Sequence, residues 1–357
     1  MDTAMLQTLR KRLHENAEPS MQESRTRQLL MSFLHEHTSL PVTDCGSWFY
    51  VKCPGDSALS PVAFRADFDA VLCADGIARH LCGHDGHSTI LCGLAMELAN
   101  CCGQLKRDVY LIFQPGEETG SGALLCSELI SEKGITEIYG FHNIPSYPVH
   151  SLVLPAGTFA CASTGMEIRF DGMESHAAYP EEGRNPASAI AALVLHMDRL
   201  IKTPHKGILL GTVIGIDAGS RSYGVSAGTG TLRLTLRAQM QSDYDSFIRQ
   251  IEDKAHTLAD QFGLSCSICR IEEFPATVNP PCYIEKVHST ADALGLQTFC
   301  PGSPFRWSED FGHYLQHCDG CFFGIGCGTD HPGLHTPEYE FEDEIIPTVI
   351  SLFRHLI

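Results

Sequence analysis

The octapeptide "LCGHDGHS" (81–88) sets one cysteine, two histidines and an aspartate among glycines. Thiolate and neutral imidazole are preferred ligands of transition metals. Cys82 and His84 precede a helix expected to begin near His87, and Gly83 and Gly86 relax the backbone enough for ligands to converge. The same residues also read as a capped helix start with incidental histidines, so other stretches must decide. In "QPGEETGSG", Glu117 and Glu118 follow an apolar strand, where adjacent carboxylates repel each other unless a cation is near. Neighbouring side chains point different ways, so one can bind metal while the other reaches a water. "GFHNIP" ends a further strand with His142, at the kind of edge where α/β sheets carry their ligands. "GLHTPEYEF" offers His335 in a loop bounded by glycine and proline.

Cys82, His84, Glu118, His142 and His335 make five candidate ligands. An open catalytic zinc typically keeps about three protein ligands, whereas two ions sharing one bridging ligand need about five. One consistent partition puts Cys82, His84 and His142 on one ion and Cys82, Glu118 and His335 on the other, with the thiolate as bridge. Glu117 is then left as a general base. The implied cofactor is a pair of divalent metal ions; the thiolate favours zinc, with manganese, nickel or cobalt as alternatives.

The elements that must position these residues alternate. Amphipathic helices are expected at 2–17 and 21–38, strands at 48–53, 61–67, 108–115 and 135–143, and helices at 87–101 and 120–131. This is an α/β pattern. From about 164 the order becomes βαββαβ, the split-βαβ arrangement of a small α+β domain. Within it, Ser242 or Asp243 is the expected N-cap of a long helix and Gly263 its stop. The chain then returns to helix (282–295), the strand "CFFGIGCG" and a last helix near 343–356. The reading is a discontinuous catalytic domain, 1–163 plus 275–357, carrying an inserted domain at 164–274.

Composition is that of a soluble globular protein, 43% hydrophobic and 19% charged. A net charge of −18 argues against nucleic acid or anionic membrane as partner, since both need a basic face. No apolar run reaches signal-peptide or membrane-span length, which makes the cytoplasm the expected location. The sixteen cysteines lie largely in apolar periodic segments such as "ILCGLAMELANCC", as reduced core thiols do.

The motifs "FRADFDA", "LCGHDGHST", "IFQPGEE", "GFHNIP", "SHAAYP", "SEDFG" and "GLHTPEYEFEDE" occur in this order along nearly the whole chain. Together they resemble the amidohydrolase branch of metallopeptidase family 20, which includes hippurate hydrolases, indole-acetyl-amino-acid hydrolases and N-acetyl-amino-acid deacetylases. The resemblance implies a mixed-sheet α/β catalytic domain of zinc-exopeptidase type with a dinuclear metal centre, and an inserted satellite domain that often mediates homodimerisation. It carries metal ligation to Cys82, His84, Glu118, His142 and His335, the base to Glu117, and polarisation of the scissile carbonyl to His176 of "ESHAAYP". Asp67 and Asp69 are expected to hold ligand geometry, Asp85 to orient a neighbour, and His87 not to be a ligand.

The sequence departs from the pattern twice. Gly224 of "YGVSAG" stands where relatives carry a substrate-contacting asparagine, and "DAVLCADGIARHLCGHD" is shorter than its counterparts, which alters the pocket rim. The expected reaction is hydrolysis of N-acyl amino acids to a carboxylic acid and a free amino acid, with Glu117 taking a proton from the attacking water and returning it to the leaving nitrogen. A cysteine-nucleophile hydrolase built on Cys82 and His84 is one rival, and it leaves Glu117, Glu118, His142 and His335 unexplained. A metal-stabilised binding protein without turnover, and a dipeptidase or carboxypeptidase on the same site, are the others.

Overall fold

The computed structural model describes residues 3–56 and 58–357; position 2, the expected first residue of the first helix, lies outside them. The chain divides into two compact units. One comprises the residues up to Phe159 together with Thr277–Pro304 and Glu309–Ile357; the other comprises Ala160–Ala276 and Phe305–Ser308.

The first unit is built on an eight-stranded mixed sheet. Its four central strands, in spatial order Val109–Gln114, Val62–Asp67, Glu137–Ile144 and Asp319–Gly326, run parallel. Such strands are covered on both faces, which is why "VYLIFQ" and "VAFRAD" are buried at every position instead of alternating. Phe49–Cys53 adds antiparallel on one side and Leu152–Val153 on the other. After Val62–Asp67 the chain continues to its neighbour on one side, Val109–Gln114, and then crosses to the other side at Glu137–Ile144. The carboxyl end of Val62–Asp67 is therefore a topological switch point, the place where open α/β sheets bind ligands. Helix His84–Ala99 starts at the same edge and is buried along most of its length. A Cβ added at Gly93 would lie 2.4 Å from Ile350 and 2.8 Å from Leu6, so this glycine lets the helix pack between Thr3–Glu15 and Ile346–Leu356.

The second unit is an antiparallel four-stranded sheet in the order Leu209–Ala218, Thr229–Ala238, Ala162–Asp171, Ser265–Phe274. Helices Ala187–Leu200 and Gln241–Phe262 complete the βαββαβ element order. Leu232, Leu234 and Leu236 alternate inward, at the strand period of two, and pack with Ile168, Leu193 and Phe247.

Several boundaries differ from the sequence expectation. The helix expected from His87 begins at His84, because Gly83 takes a left-handed φ of 97° and its carbonyl accepts from the N–H groups of Gly86 (2.9 Å) and His87 (3.0 Å). The long helix of the second unit starts at Gln241, and neither Ser242 nor Asp243 caps it; extended Met240 precedes it instead. Gly263 does end it, at φ 64°. The single helix expected at 120–131 is two short ones, Gly122–Cys126 and Glu128–Lys133.

Candidate metal centre and catalytic site

The carboxyl edge of the parallel strands gathers Asp67, Asp69, Glu117, Glu118 and His142, and the start of helix His84–Ala99 brings Cys82 and His84 to the same edge. A Cβ at Gly83 would lie 2.5 Å from Asn143 Oδ1 and 2.6 Å from Tyr339 Oη, so the turn carrying both ligand candidates approaches its neighbours at a distance only glycine permits. Potential donor atoms of Cys82, His84 and His142 all lie within 4.8 Å of one another, and so do those of Cys82, Glu118 and His335. The Cys82 sulfur is common to both groups.

Each histidine has its orientation set from behind. His142 donates from Nδ1 to the Asn143 carbonyl at 2.8 Å, which turns the lone pair of Nε2 toward the Cys82 sulfur 3.3 Å away. His84 donates from Nδ1 to Asp69 at 3.0 Å. Its Nε2 stands 3.9 Å from each of Asp67, Glu117 and Glu118, too far for a hydrogen bond. Asp69 also accepts from the Glu118 backbone N–H at 3.1 Å and from Ser20 at 2.6 Å, so one carboxylate orients two candidate ligands. His335 is half exposed, with Nε2 3.4 Å from Glu118 Oε1, and sits at a left-handed φ of 61°. His87 has both ring nitrogens engaged, with Asp67 and Asn143, each at 2.6 Å.

Two buried polar atoms stand out: His84 Nε2 and Glu118 Oε1 have no hydrogen-bond partner among the described residues. Buried polar atoms are rarely left so, and an ion is one of the ordinary explanations. Thiolate, imidazole and carboxylate converging here suit late transition metals. The residues therefore fit a pair of cations.

The electrostatics point the same way. Burial pushes the Cys82 thiol well up, and Glu118 and Glu117 push it further. Its neighbour His142 is held well below the usual imidazole range by burial and by His87 and His84. Burial alone would lower His84, but Asp67, Asp69 and Glu118 outweigh it and hold the ring up to about 10. The same negative field attracts metal cations. Burial raises Glu117 well above the carboxylate range, with Glu309, Asp310 and Glu118 adding to it, as suits a group that accepts and holds a proton.

Sequence reasoning assigned a role to Asp67 but none to its partners in the buried ion network beneath the site, Arg65, Gln114, Glu309 and Asp310. Arg65, 1% exposed at its side chain, bonds Gln114 (2.7 Å), Asp67 (2.7 Å) and Asp310 (2.6 Å), and its Nη2 lies 3.0 Å from Glu309. Asp310 in turn accepts from Gln114 and from the Ala123 N–H. The available signal was a lone arginine inside the apolar run "VAFRAD", together with the acidic pair of "SEDFG".

His176 belongs to the second unit, on an exposed loop; its Nδ1 accepts from the Ala178 N–H at 3.1 Å. The neighbouring Ala177 N–H donates to the carbonyl of Gly224 at 2.9 Å. A Cβ built at Gly224 meets nothing within 4 Å, so packing does not demand glycine there.

Residues 63–357 match the peptidase family M20/M25/M40. The chain is 27% identical over 366 residues to the N-acetyldiaminopimelate deacetylase of Exiguobacterium sibiricum, covering 97% of each chain. It is 28% identical to the N-acetyl-L-cysteine deacetylase of Bacillus subtilis, over 95% of this chain and 84% of the relative. It is 29% identical to an IAA-amino acid hydrolase of Arabidopsis thaliana, over 95% and 81% respectively. A solved dinuclear metal-binding peptidase of the M20 family from Bacillus subtilis superposes with a TM-score of 0.83 at 23% identity, over 99% of this chain and 96% of the other. A structure from methicillin-resistant Staphylococcus aureus gives 0.89 at 20% identity, over 99% and 95%.

Replacing Arg65 by methionine should leave Asp67, Glu309 and Asp310 buried without their counter-charge and destabilise the metal-free protein by about 3–5 kcal/mol. Chemical denaturation reads this directly. A loss below about 1 kcal/mol would mean that the carboxyl groups are neutralised by protonation rather than by Arg65.

Proposed function

Because the chain belongs to the peptidase family M20/M25/M40, we propose that it is a metal-dependent amidohydrolase that cleaves N-acyl amino acids. The observation that carries this reading is the pair of donor clusters sharing the Cys82 sulfur, with His84 Nε2 and Glu118 Oε1 buried and without a hydrogen bond among the described residues. Cys82, His84 and His142 would hold one divalent cation, and Cys82, Glu118 and His335 the second. Zinc is favoured by the thiolate, with manganese, nickel or cobalt as alternatives. The relatives named as deacetylases and as an IAA-amino acid hydrolase support the substrate class.

When bound, such cations supply Lewis acidity that polarises the amide carbonyl and acidifies a water. The chain's own groups do the rest. Glu117 receives the proton of the attacking water and delivers it to the departing nitrogen; bound cations would offset the acidic neighbours that raise it and leave it ionised for the first of these transfers. The Asp69 carboxylate and the Asn143 carbonyl fix the orientation of the His84 and His142 rings through their Nδ1 atoms. The family resemblance carries polarisation of the scissile carbonyl to His176, a contribution of the kind typically worth about 3–4 kcal/mol. The cysteine-nucleophile alternative is disfavoured because burial raises the Cys82 thiol and because it leaves Glu117, Glu118 and His335 without a role.

Homodimerisation through the inserted unit is part of the same reading. Its edge strand Leu209–Ala218 leaves Ile214 and Ile216 exposed, at 61% and 52%, beside unpaired backbone groups. No helix among the described residues is long and apolar enough to cross a membrane. All sixteen cysteines are free thiols, which supports a reducing, cytoplasmic location.

Glu117→Gln should retain about two metals per chain by elemental analysis while kcat falls by roughly 10²–10⁴; wild-type turnover would remove Glu117 from the role of base. Cys82→Ala should lower metal stoichiometry, and unchanged metal content would take the thiol out of the centre. Gly224→Asn should change stability by no more than about 0.5 kcal/mol, since its side chain enters open space. It should also raise kcat/KM on N-acetyl amino acids; a lower value would show that this loop is adapted to glycine.

A further inference from the structure

Beside His335 the first unit contains a cavity of about 590 Å³, within the range of small-molecule sites of about 300–1,000 Å³. Besides His335 it is lined by the apolar Val71, Ala74, Leu81 and Pro337 and by Cys73, Asp75 and Arg79. Two observations tie it to the candidate centre. His335 lines the cavity and also places Nε2 3.4 Å from Glu118. Leu81 immediately precedes Cys82, and its carbonyl accepts the His335 backbone N–H at 2.8 Å. The cavity therefore opens next to the place where a scissile carbonyl would be held.

Its outer wall is a preformed hairpin. Val71–Leu72 pairs antiparallel with Ala78–Arg79. The turn is closed by Cys73 N–H to the Ile77 carbonyl (3.0 Å), Gly76 N–H to the Cys73 carbonyl (2.9 Å) and Ile77 N–H to Asp75 Oδ1 (3.1 Å). Gly76 supplies the φ of 78° that this turn requires. Among the described lining residues the guanidinium is already matched: Arg79 forms a two-pronged pair with Asp75, Nη1–Oδ1 at 3.0 Å and Nη2–Oδ2 at 2.6 Å. A substrate carboxylate entering here would have to compete with Asp75, whereas an uncharged hydrocarbon would meet valine, alanine, leucine and proline.

We propose that this cavity binds the acyl half of the substrate, as an uncharged hydrocarbon chain longer than acetyl, and leaves the amino-acid half with its carboxylate outside it. The inference rests on the amidohydrolase reading and assigns that site its acyl preference. Each methylene entering the cavity should raise kcat/KM about fourfold, the equilibrium equivalent of burying one CH₂, until the cavity is filled.

The test is a series of N-acyl alanines, from acetyl through butyryl and hexanoyl to octanoyl, hydrolysed by the metal-loaded protein and by Ala74→Trp. Ala74 is exposed on the hairpin, so tryptophan there narrows the cavity without entering the core. Calorimetric binding of free octanoate and acetate to both proteins runs in parallel. The expected results are a kcat/KM that climbs with chain length, an octanoyl-to-acetyl ratio at least tenfold smaller in Ala74→Trp, and octanoate affinity weakened to a similar extent. Hydrolysis with a flat chain-length profile, or with a ratio unmoved by Ala74→Trp, overturns the assignment while leaving the amidohydrolase reading intact. A variant that instead changes discrimination between N-acetyl-leucine and N-acetyl-alanine overturns it in favour of the amino-acid side chain. If no acyl amino acid is cleaved, octanoate binding decides. Chain-length-dependent affinity lost in Ala74→Trp supports the cavity and sinks the amidohydrolase reading; absence of octanoate binding overturns the cavity as well.

Discussion

The organisation of the first unit follows from an excess of negative charge held out of water. Asp67, Asp69, Glu117, Glu118, Glu309 and Asp310 converge near the carboxyl ends of parallel strands, and Arg65 is the guanidinium set directly among them. Isolated carboxylates in such surroundings are costly, so they must pair, take up protons or surround cations. The first two responses are visible within the chain. Arg65 engages Asp67, Glu309 and Asp310. Glu117 is driven toward its protonated form by burial and by its acidic neighbours. His84 is pulled toward the imidazolium by Asp67 and Asp69 against the effect of burial. The donor atoms left without partners lie where those fields overlap.

The backbone makes that concentration possible. The switch in strand order beside Val62–Asp67 opens a crevice at the sheet edge. Glycine is used where another backbone or ring comes too near for a side chain. A Cβ at Gly86 would lie 2.4 Å from the Phe341 ring, and one at Gly122 would lie 1.6 Å from the Pro115 carbonyl. The first closes the C-terminal segment over the start of helix His84–Ala99; the second packs the turn that carries Glu117 and Glu118. Rigidity in the supporting groups is what holds side chains in position for chemistry. Asp69 illustrates the economy of the arrangement, since it orients the His84 ring and the Glu118 backbone together.

Local signals were readable wherever the chemistry is local. The period-two alternation of "TLRLTLRA" and the uninterrupted apolar run of "VYLIFQ" announce strands with one and two covered faces respectively, and the structure has both. Gly263 marks a helix end because a left-handed residue is needed there. The helix beginning at His84 was harder to read, because its start depends on Gly83 adopting φ 97° against Asn143 and Tyr339, residues far away in sequence. Ser242 and Asp243 fit the usual capping preference, yet Met240 precedes the helix, and the side chain of Gln241 instead accepts the Ala276 N–H at 2.8 Å.

The sequence by itself determined which chemistry was available. The residue types of Cys82, His84, Glu117, Glu118, His142 and His335, their positions beside strand ends, and the alternation of helices and strands are properties of the chain as written. Tertiary structure decided which of these atoms face one another. It directed both nitrogens of His87 to Asp67 and Asn143, paired the Cys82 thiol with His142 rather than His84, and placed Arg65 beneath the site as counter-charge. The physical reason is that side-chain types and strand periodicity are local, whereas desolvation and Coulomb fields are sums over groups that only the folded chain brings together.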